Sequence, residues 1–291
     1  MNLIVIIASL LLDRVVDADK AVRCYDFLDS HIANWMERAG DSSWRNIVFF
    51  ALLLIVPALL AQWVTVLLDD AVFGLLSLLW FIAVVFACLG PMNVDDELES
   101  YQRAVAAGES ALRDEKFARL TEGTEFASQQ DRNVGVLRAL FAQVNTHIVA
   151  VLFWFIVLGP FGAVLYRVTL YSVNLANRKL DIDEEYTERL ELLLGCMTWL
   201  PARLVLLAYA LAGSFDGTLS NFLGPSSSTP ASSLHADNCA VLADAGMSAM
   251  DLDDSDEIDM EHLSAARDLI FRGALVLLAG LALMTLAGWF T

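Results

Sequence analysis

Apolar residues in this chain are gathered into long runs separated by polar stretches, and the runs set its architecture. Residues 47–68 and 71–90 contain no charged side chain, and only Asp69-Asp70 separate them. A helix rises about 1.5 Å per residue and the hydrocarbon layer is about 30 Å thick, so each run is long enough to cross and the pair predicts a helical hairpin. Pro57 predicts a kink, which lipid-embedded helices tolerate because neighbours satisfy the freed carbonyl. A third segment, about 147–166, carries Gly159-Pro160 and Gly162 at its centre, which predicts a broken or re-entrant helix. Ile182, Tyr186, Leu190 and Leu193 mark an amphipathic helix leading into a fourth segment, about 192–213. A last segment spans about 269–290, with Arg272 at its mouth and Gly273, Gly280 and Gly288 suited to close helix packing and compatible with a homo-oligomer. The run at 1–12 reaches only about 18 Å as a helix, so it is expected to pack on the bundle or lie half-inserted. It lacks a basic leader and a small-x-small cleavage site, so its retention is expected.

Between these runs, residues 95–143 place Leu98, Tyr101, Val105 and Leu112, then Leu137, Leu140, Phe141 and Val144, at helical spacing. That pattern predicts amphipathic helices forming a soluble insert, with breaks at Gly123 and 129–133. Residues 215–266 contain no Lys or Arg and end in the acidic run 251–261, which reads as an acidic loop with limited helix. The expected fold is therefore all-α: a single polytopic transmembrane helical bundle over 1–291 with a broken or re-entrant third segment and a cytoplasmic amphipathic insert. Leu-, Ala- and Phe-rich spans favour helices over a β-barrel, whose strands would alternate over segments of about ten residues. Basic residues near the span ends, Arg14 to Arg45 before the first hairpin and Arg103 to Arg138 in the insert, place both stretches in the cytoplasm. A re-entrant third segment would keep Arg178, Lys179 and Arg189 on that side and put 215–266 outside.

Composition sharpens the class. The chain is 57% hydrophobic, against about 45–50% for soluble domains, and the excess calls for a lipid bilayer as partner. A formal net charge of −18 with dispersed Lys and Arg argues against nucleic acid. Cys24, Cys88, Cys196 and Cys239 show neither paired spacing nor a zinc pattern. Phosphate-loop, serine-hydrolase, zinc-peptidase and dinucleotide fingerprints are absent, so no catalytic residue and no cofactor is assigned. The run from Asp251 fails the calcium-loop register, with Asp256 where glycine belongs and His262 where the bidentate glutamate belongs, so no metal is assigned either.

One group of residues invites a functional reading. An arginine inside an apolar segment costs about 2.5–3.5 kcal/mol on insertion scales and is commonly kept to pair or to hold an anion. Arg203 is such a residue, the bland alternative being a side chain that snorkels to the interface. Arg14 and Arg167 follow apolar runs and read otherwise as interface anchors. Asn145 and His147 stand at the entrance of the third segment, where a histidine is more often a hydrogen-bonded structural residue than a base. The expectation is that Arg14, Asn145, His147, Arg167 and Arg203 form one ligand-binding face for an anionic group.

The order Asp13-Arg14, a helical insert, Leu152-Phe-Trp154, Gly159-Pro-x-Gly-Ala163, Tyr166-Arg167 and Pro201-Ala-Arg-Leu204 resembles the AmpE family. That resemblance covers nearly the whole chain. It implies a multi-pass protein of the bacterial inner membrane that acts as a signalling regulator linked to β-lactamase induction and cell-wall recycling, with an anionic small-molecule or cell-wall-derived ligand as partner. The family in turn is similar to adenosylcobinamide-phosphate synthase, a membrane enzyme that attaches an aminopropanol group in cobalamin assembly. At places where the synthase pattern is polar, this chain reads Ala142-Gln143 with Thr146-His147, Val168-Thr-Leu-Tyr-Ser-Val173, and Ala236-Asp-Asn238 with Ala243-Asp244. Loss of most of those positions implies a regulator that is not an enzyme. A membrane ligase or transferase is the alternative, and a transporter a weaker one, since the chain shows no internal repeat.

Overall fold

A computed structural model describes residues 2–15, 43–68, 74–89, 94–121, 129–178, 184–215, 218, 233–252 and 256–288. Among these residues the secondary structure is helical throughout. The helices are α1 Asn2–Val15, α2 Ser43–Leu68, α3 Leu75–Cys88, α4 Val94–Ala107, α5 Ser110–Leu120, α6 Gln129–Val144, a π-turn Asn145–Val149, α7 Ala150–Arg178, α8 Glu184–Ala212, α9 Leu234–Ala249 and α10 Met260–Leu286. Four stretches are long and apolar enough to cross a membrane, Ala51–Leu68, Arg132–Asn177, Thr187–Ala212 and Met260–Leu286, while Leu3–Leu12 and Leu75–Cys88 are shorter apolar helices. The chain is a polytopic helical bundle. By internal contacts it divides into two compact units, one of Met1–Pro91, Ala150–Met197 and Phe290–Thr291, the other of Met92–Val149 and Thr198–Trp289.

In the first unit α1 packs on α3, and both α2 and α3 pack on α7. Helix α2 buries Leu54, Ala58, Ala61 and Thr65, residues three or four apart and so on one face, while Leu59, Leu60, Trp63 and Val66 point outward. A helix that is apolar on its outward face as well is solvated by lipid, because water would leave that face unburied at about 25 cal/mol per Å². Several polar side chains that enter this packing are hydrogen-bonded within it. Thr65 Oγ1 donates to the Ala61 carbonyl at 2.9 Å and accepts from Trp80 Nε1 at 3.2 Å, and Trp154 Nε1 donates to the Met197 carbonyl at 3.0 Å.

Helix α7 is broken where Gly-Pro predicts. Gly159 adopts φ 66°, ψ −154°, a conformation open to glycine and strained for other residues. A side chain on Gly162 would collide with the carbonyl of Trp154. Eight residues of straight helix would hold those two positions about 12 Å apart, so the axis turns hard at Gly159, and Gly162 is the residue that permits the close approach.

The second unit is built on α6. Leu98 and Tyr101 from α4, Phe117 and Leu120 from α5, and Leu140 and Phe141 from α6 share a core with residues of α8, α9 and α10. The periodic positions of the insert are thus buried as their spacing predicts, except Val105, which is partly buried, and Leu112, which is exposed. Tyr101 Oη donates to Asn133 Oδ1 at 3.1 Å, and Asn133 Nδ2 donates to the Ile258 carbonyl at 2.8 Å. Residues 129–133, expected as a break, form the first turn and more of α6, and Gly123 lies outside the described residues. The stretch 215–266, expected as an acidic loop with limited helix, contains the four-turn helix α9, capped by Ser233, whose side chain accepts from the Ala236 amide. Asp259 from the acidic run caps α10 in a reciprocal box with His262. Helix α9 packs on α6, and Asp244 pairs with Arg138 at 2.5 Å. The re-entrant reading put these two stretches on opposite sides of the membrane; their packing joins them. Acidic residues carry little weight in the charge rule used for sidedness, so that rule has no purchase on a stretch without Lys or Arg.

On the polar surface of this unit, Asp114 accepts from Arg132 Nη1 at 2.5 Å and from Arg113 at 3.1 Å. The hydrogen bond from Arg132, then that from Arg113, hold its carboxyl below the usual carboxylate range. A depressed folded pKa means the contribution is full above the unfolded value, about 3.9, and is lost as pH falls through the folded one. We expect Asp114→Asn to lower stability by a salt-sensitive amount that is full at neutral and alkaline pH, and the difference from wild type, read by circular dichroism, to shrink toward zero between pH 5 and pH 2.

Candidate functional site

Where α6 ends at Val144 the chain widens into the π-turn Asn145–Val149 before α7 begins. Such turns insert an extra residue with poorer hydrogen-bond geometry and occur frequently at functional sites. This one carries three consecutive polar residues, Asn145, Thr146 and His147, all buried. Thr146 Oγ1 donates back to the Ala142 carbonyl at 3.3 Å, the ordinary way a helical threonine satisfies itself. Asn145 differs. Its side chain is 1% exposed and its Oδ1 has no hydrogen-bond partner. Two residues earlier, Gln143 donates through Nε2 to the Leu120 carbonyl at 2.6 Å while its Oε1 stays without a donor. A buried acceptor left unmade costs about 1–3 kcal/mol, so two of them close together in one short segment call for an explanation.

Arg203 belongs to the same unit, one turn after Trp199 on α8. Its guanidinium lies 5.3 Å from the centroid of the Trp199 ring, and its Nη1 is buried without an acceptor. Guanidinium cannot shed its charge, so desolvation is offset there only by the ring face and by the part of the group still reached by solvent. The contact between α6 and α8 is made by Phe141 and Tyr209, whose rings stand 5.4 Å apart edge to face, with Tyr209 Oη donating to the Phe141 carbonyl at 3.3 Å. Asn145 follows Phe141 by one turn, and Arg203 precedes Tyr209 by six residues.

Of the five residues singled out in the sequence, Asn145, His147 and Arg203 therefore lie in one compact unit. Arg167 lies in the other, on α7 beyond the break at Gly159. Arg14 is in the last turn of α1, and its side chain lies outside the described residues.

A second polar cluster escaped the sequence reading. Thr198 on α8, fully buried, accepts from Asn238 Nδ2 at 3.1 Å and faces His235 Nδ1 at 3.3 Å, while the other ring nitrogen of His235 lies 3.8 Å from Cys239 Sγ. His235, Asn238 and Cys239 stand at i, i+3 and i+4 of α9 and so share a face. Their spacing carried the signal. The composition of 215–266 predicts a loop with limited helix, and in a loop the four-residue period has no meaning.

A family model described as regulatory signalling modulator protein AmpE matches residues 1–290. The chain is also similar to the cobalamin biosynthesis protein CobD of Chromobacterium violaceum, 31% identical over 173 residues, which make up 55% of this chain and 50% of that protein. The chain thus spans about half the length of the curated relative it matches. No solved structure matches it.

Proposed function

Because this chain belongs to the AmpE family, we propose that it is a multi-pass regulator of the bacterial inner membrane, linked to β-lactamase induction and cell-wall recycling. In this reading an anionic small molecule or cell-wall-derived ligand binds the second unit at Arg203 and the π-turn that carries Asn145 and His147. The observation that carries the binding part is the pair of buried, unanswered polar groups of opposite character: the Arg203 Nη1 donor and the Asn145 Oδ1 acceptor. A ligand with an anionic oxygen beside a hydroxyl or amide hydrogen would satisfy both. Helix α6 runs from that turn into the core shared with α4 and α5, so a ligand that tightens the turn would be felt in the insert.

Deletion of the gene in a host with inducible β-lactamase is the first test. We expect induction by a β-lactam to be lost or mis-set, and the full-length chain to restore it. Unchanged induction in the deletion strain would refute the regulatory role.

The similarity to CobD favours one other reading, a membrane ligase. Under it, the purified chain would form an amide between an aminopropanol donor and a corrinoid acid. The regulator is preferred because most polar positions of the synthase pattern are replaced here, and ligation measured with the purified protein would reverse that preference.

A further inference from the structure

Among the described cysteines, Cys239 alone is placed against an imidazole. Cys88 is buried and Cys196 is exposed on α8. Cys239 is partly accessible, and its sulfur lies 3.8 Å from His235 Nε2, within the range of a sulfur hydrogen bond. The ring is oriented from its other side, since Nδ1 faces the Thr198 hydroxyl, which is itself fixed by the amide of Asn238. A cysteine next to an imidazole whose far nitrogen is held in place is the arrangement that activates a thiol, because the proton has a basic nitrogen to move to.

We infer that Cys239 and His235 form a thiolate–imidazolium pair, which makes Cys239 a modification site for small soft electrophiles. In the step, the thiol proton resides on His235 Nε2 and the thiolate attacks the electrophilic carbon of an alkyl halide. The carbon–sulfur bond forms, the carbon–halogen bond breaks with its electron pair, and halide leaves. No oxidant is required. Helix α9 also carries Asp237 and Asp244, the latter paired with Arg138 of α6, and α8 carries Arg203, stacked on Trp199, just over one turn after Thr198, with Glu184, Glu185, Glu188, Arg189 and Glu191 toward its start. A carboxylate at Asp237 opposes the thiolate and favours the imidazolium, so His235 is the group on which the pair depends.

The test is the pH dependence of alkylation by iodoacetamide in the intact, detergent-purified chain, followed at Cys239 by peptide mass spectrometry. An ordinary thiol with a pKa of about 8.5 slows roughly 75-fold between pH 9 and pH 6.5, because it loses its thiolate. We expect Cys239 to slow by less than about tenfold over that range, and His235→Gln to restore the steep fall while leaving the rate at pH 9 within about threefold. A wild-type profile as steep as an ordinary thiol's would overturn the inference. So would a shallow profile that His235→Gln leaves unchanged. Should His235→Gln fail to fold, the wild-type profile decides by itself, with Cys239→Ser confirming that the labelled peptide is correctly assigned.

Discussion

Replacing Gly246 by valine is expected to unfold the second unit rather than merely loosen it. Gly246 lies on α9 where that helix crosses α6, and a Cβ placed there would fall within the ring of Phe141. Phe141 is fully buried, its ring meets Tyr209 edge to face, and its carbonyl accepts the Tyr209 hydroxyl. The ring cannot step aside without opening that contact, and the neighbouring backbone is equally close-packed: at Gly213 a side chain would meet the carbonyl of Ala249. Displacing a buried phenylalanine is comparable to deleting it, a loss of about 3–5 kcal/mol and of the same order as the stability of a whole domain. Thermal unfolding in detergent should show the loss directly. Non-additivity gives the sharper check, because Gly246→Val combined with Phe141→Ala removes the clash and should cost clearly less than the two single changes summed. A Gly246→Val protein with wild-type unfolding would show that α9 does not pack on α6 as described.

Much of this unit was legible from periodicity. Leu98, Tyr101, Leu137, Leu140 and Phe141 were singled out by helical spacing, and each is buried. The broken third segment was equally legible, because glycine before proline is a local signal: φ of 66° at Gly159 is open to glycine, and a proline at the next position has no amide hydrogen to continue the ladder. What could not be read was packing between distant segments. Helix α9 is rich in alanine and small polar residues and lacks a strong apolar stripe, so its helical state rests on the Ser233 cap and on contact with α6. Missing it hid both the crossing at Gly246 and the Thr198, His235, Asn238 and Cys239 cluster. The candidate site was half legible for a similar reason. A costly arginine and a polar pair at a span entrance are visible in a string of letters. The π-turn that buries Asn145 is a departure from regular geometry and has no compositional signature.

Arg203→Met separates the two readings of the site by moving stability and function in different directions. If Arg203 serves only the fold, removing it forfeits the cation–π contact with Trp199, about 0.5–2 kcal/mol, and any loss of function should follow that loss of stability. If it is kept for a ligand, the buried Nη1 is a standing cost, and an unbranched apolar side chain of similar length should leave the protein as stable or more so. The most direct measurement is therefore complementation of the deletion strain by Arg203→Met, with the thermal transition of the same purified variant measured alongside. We predict a protein that folds with at least wild-type stability and fails to restore inducible β-lactamase control. Full restoration by that variant would contradict an anion site at Arg203.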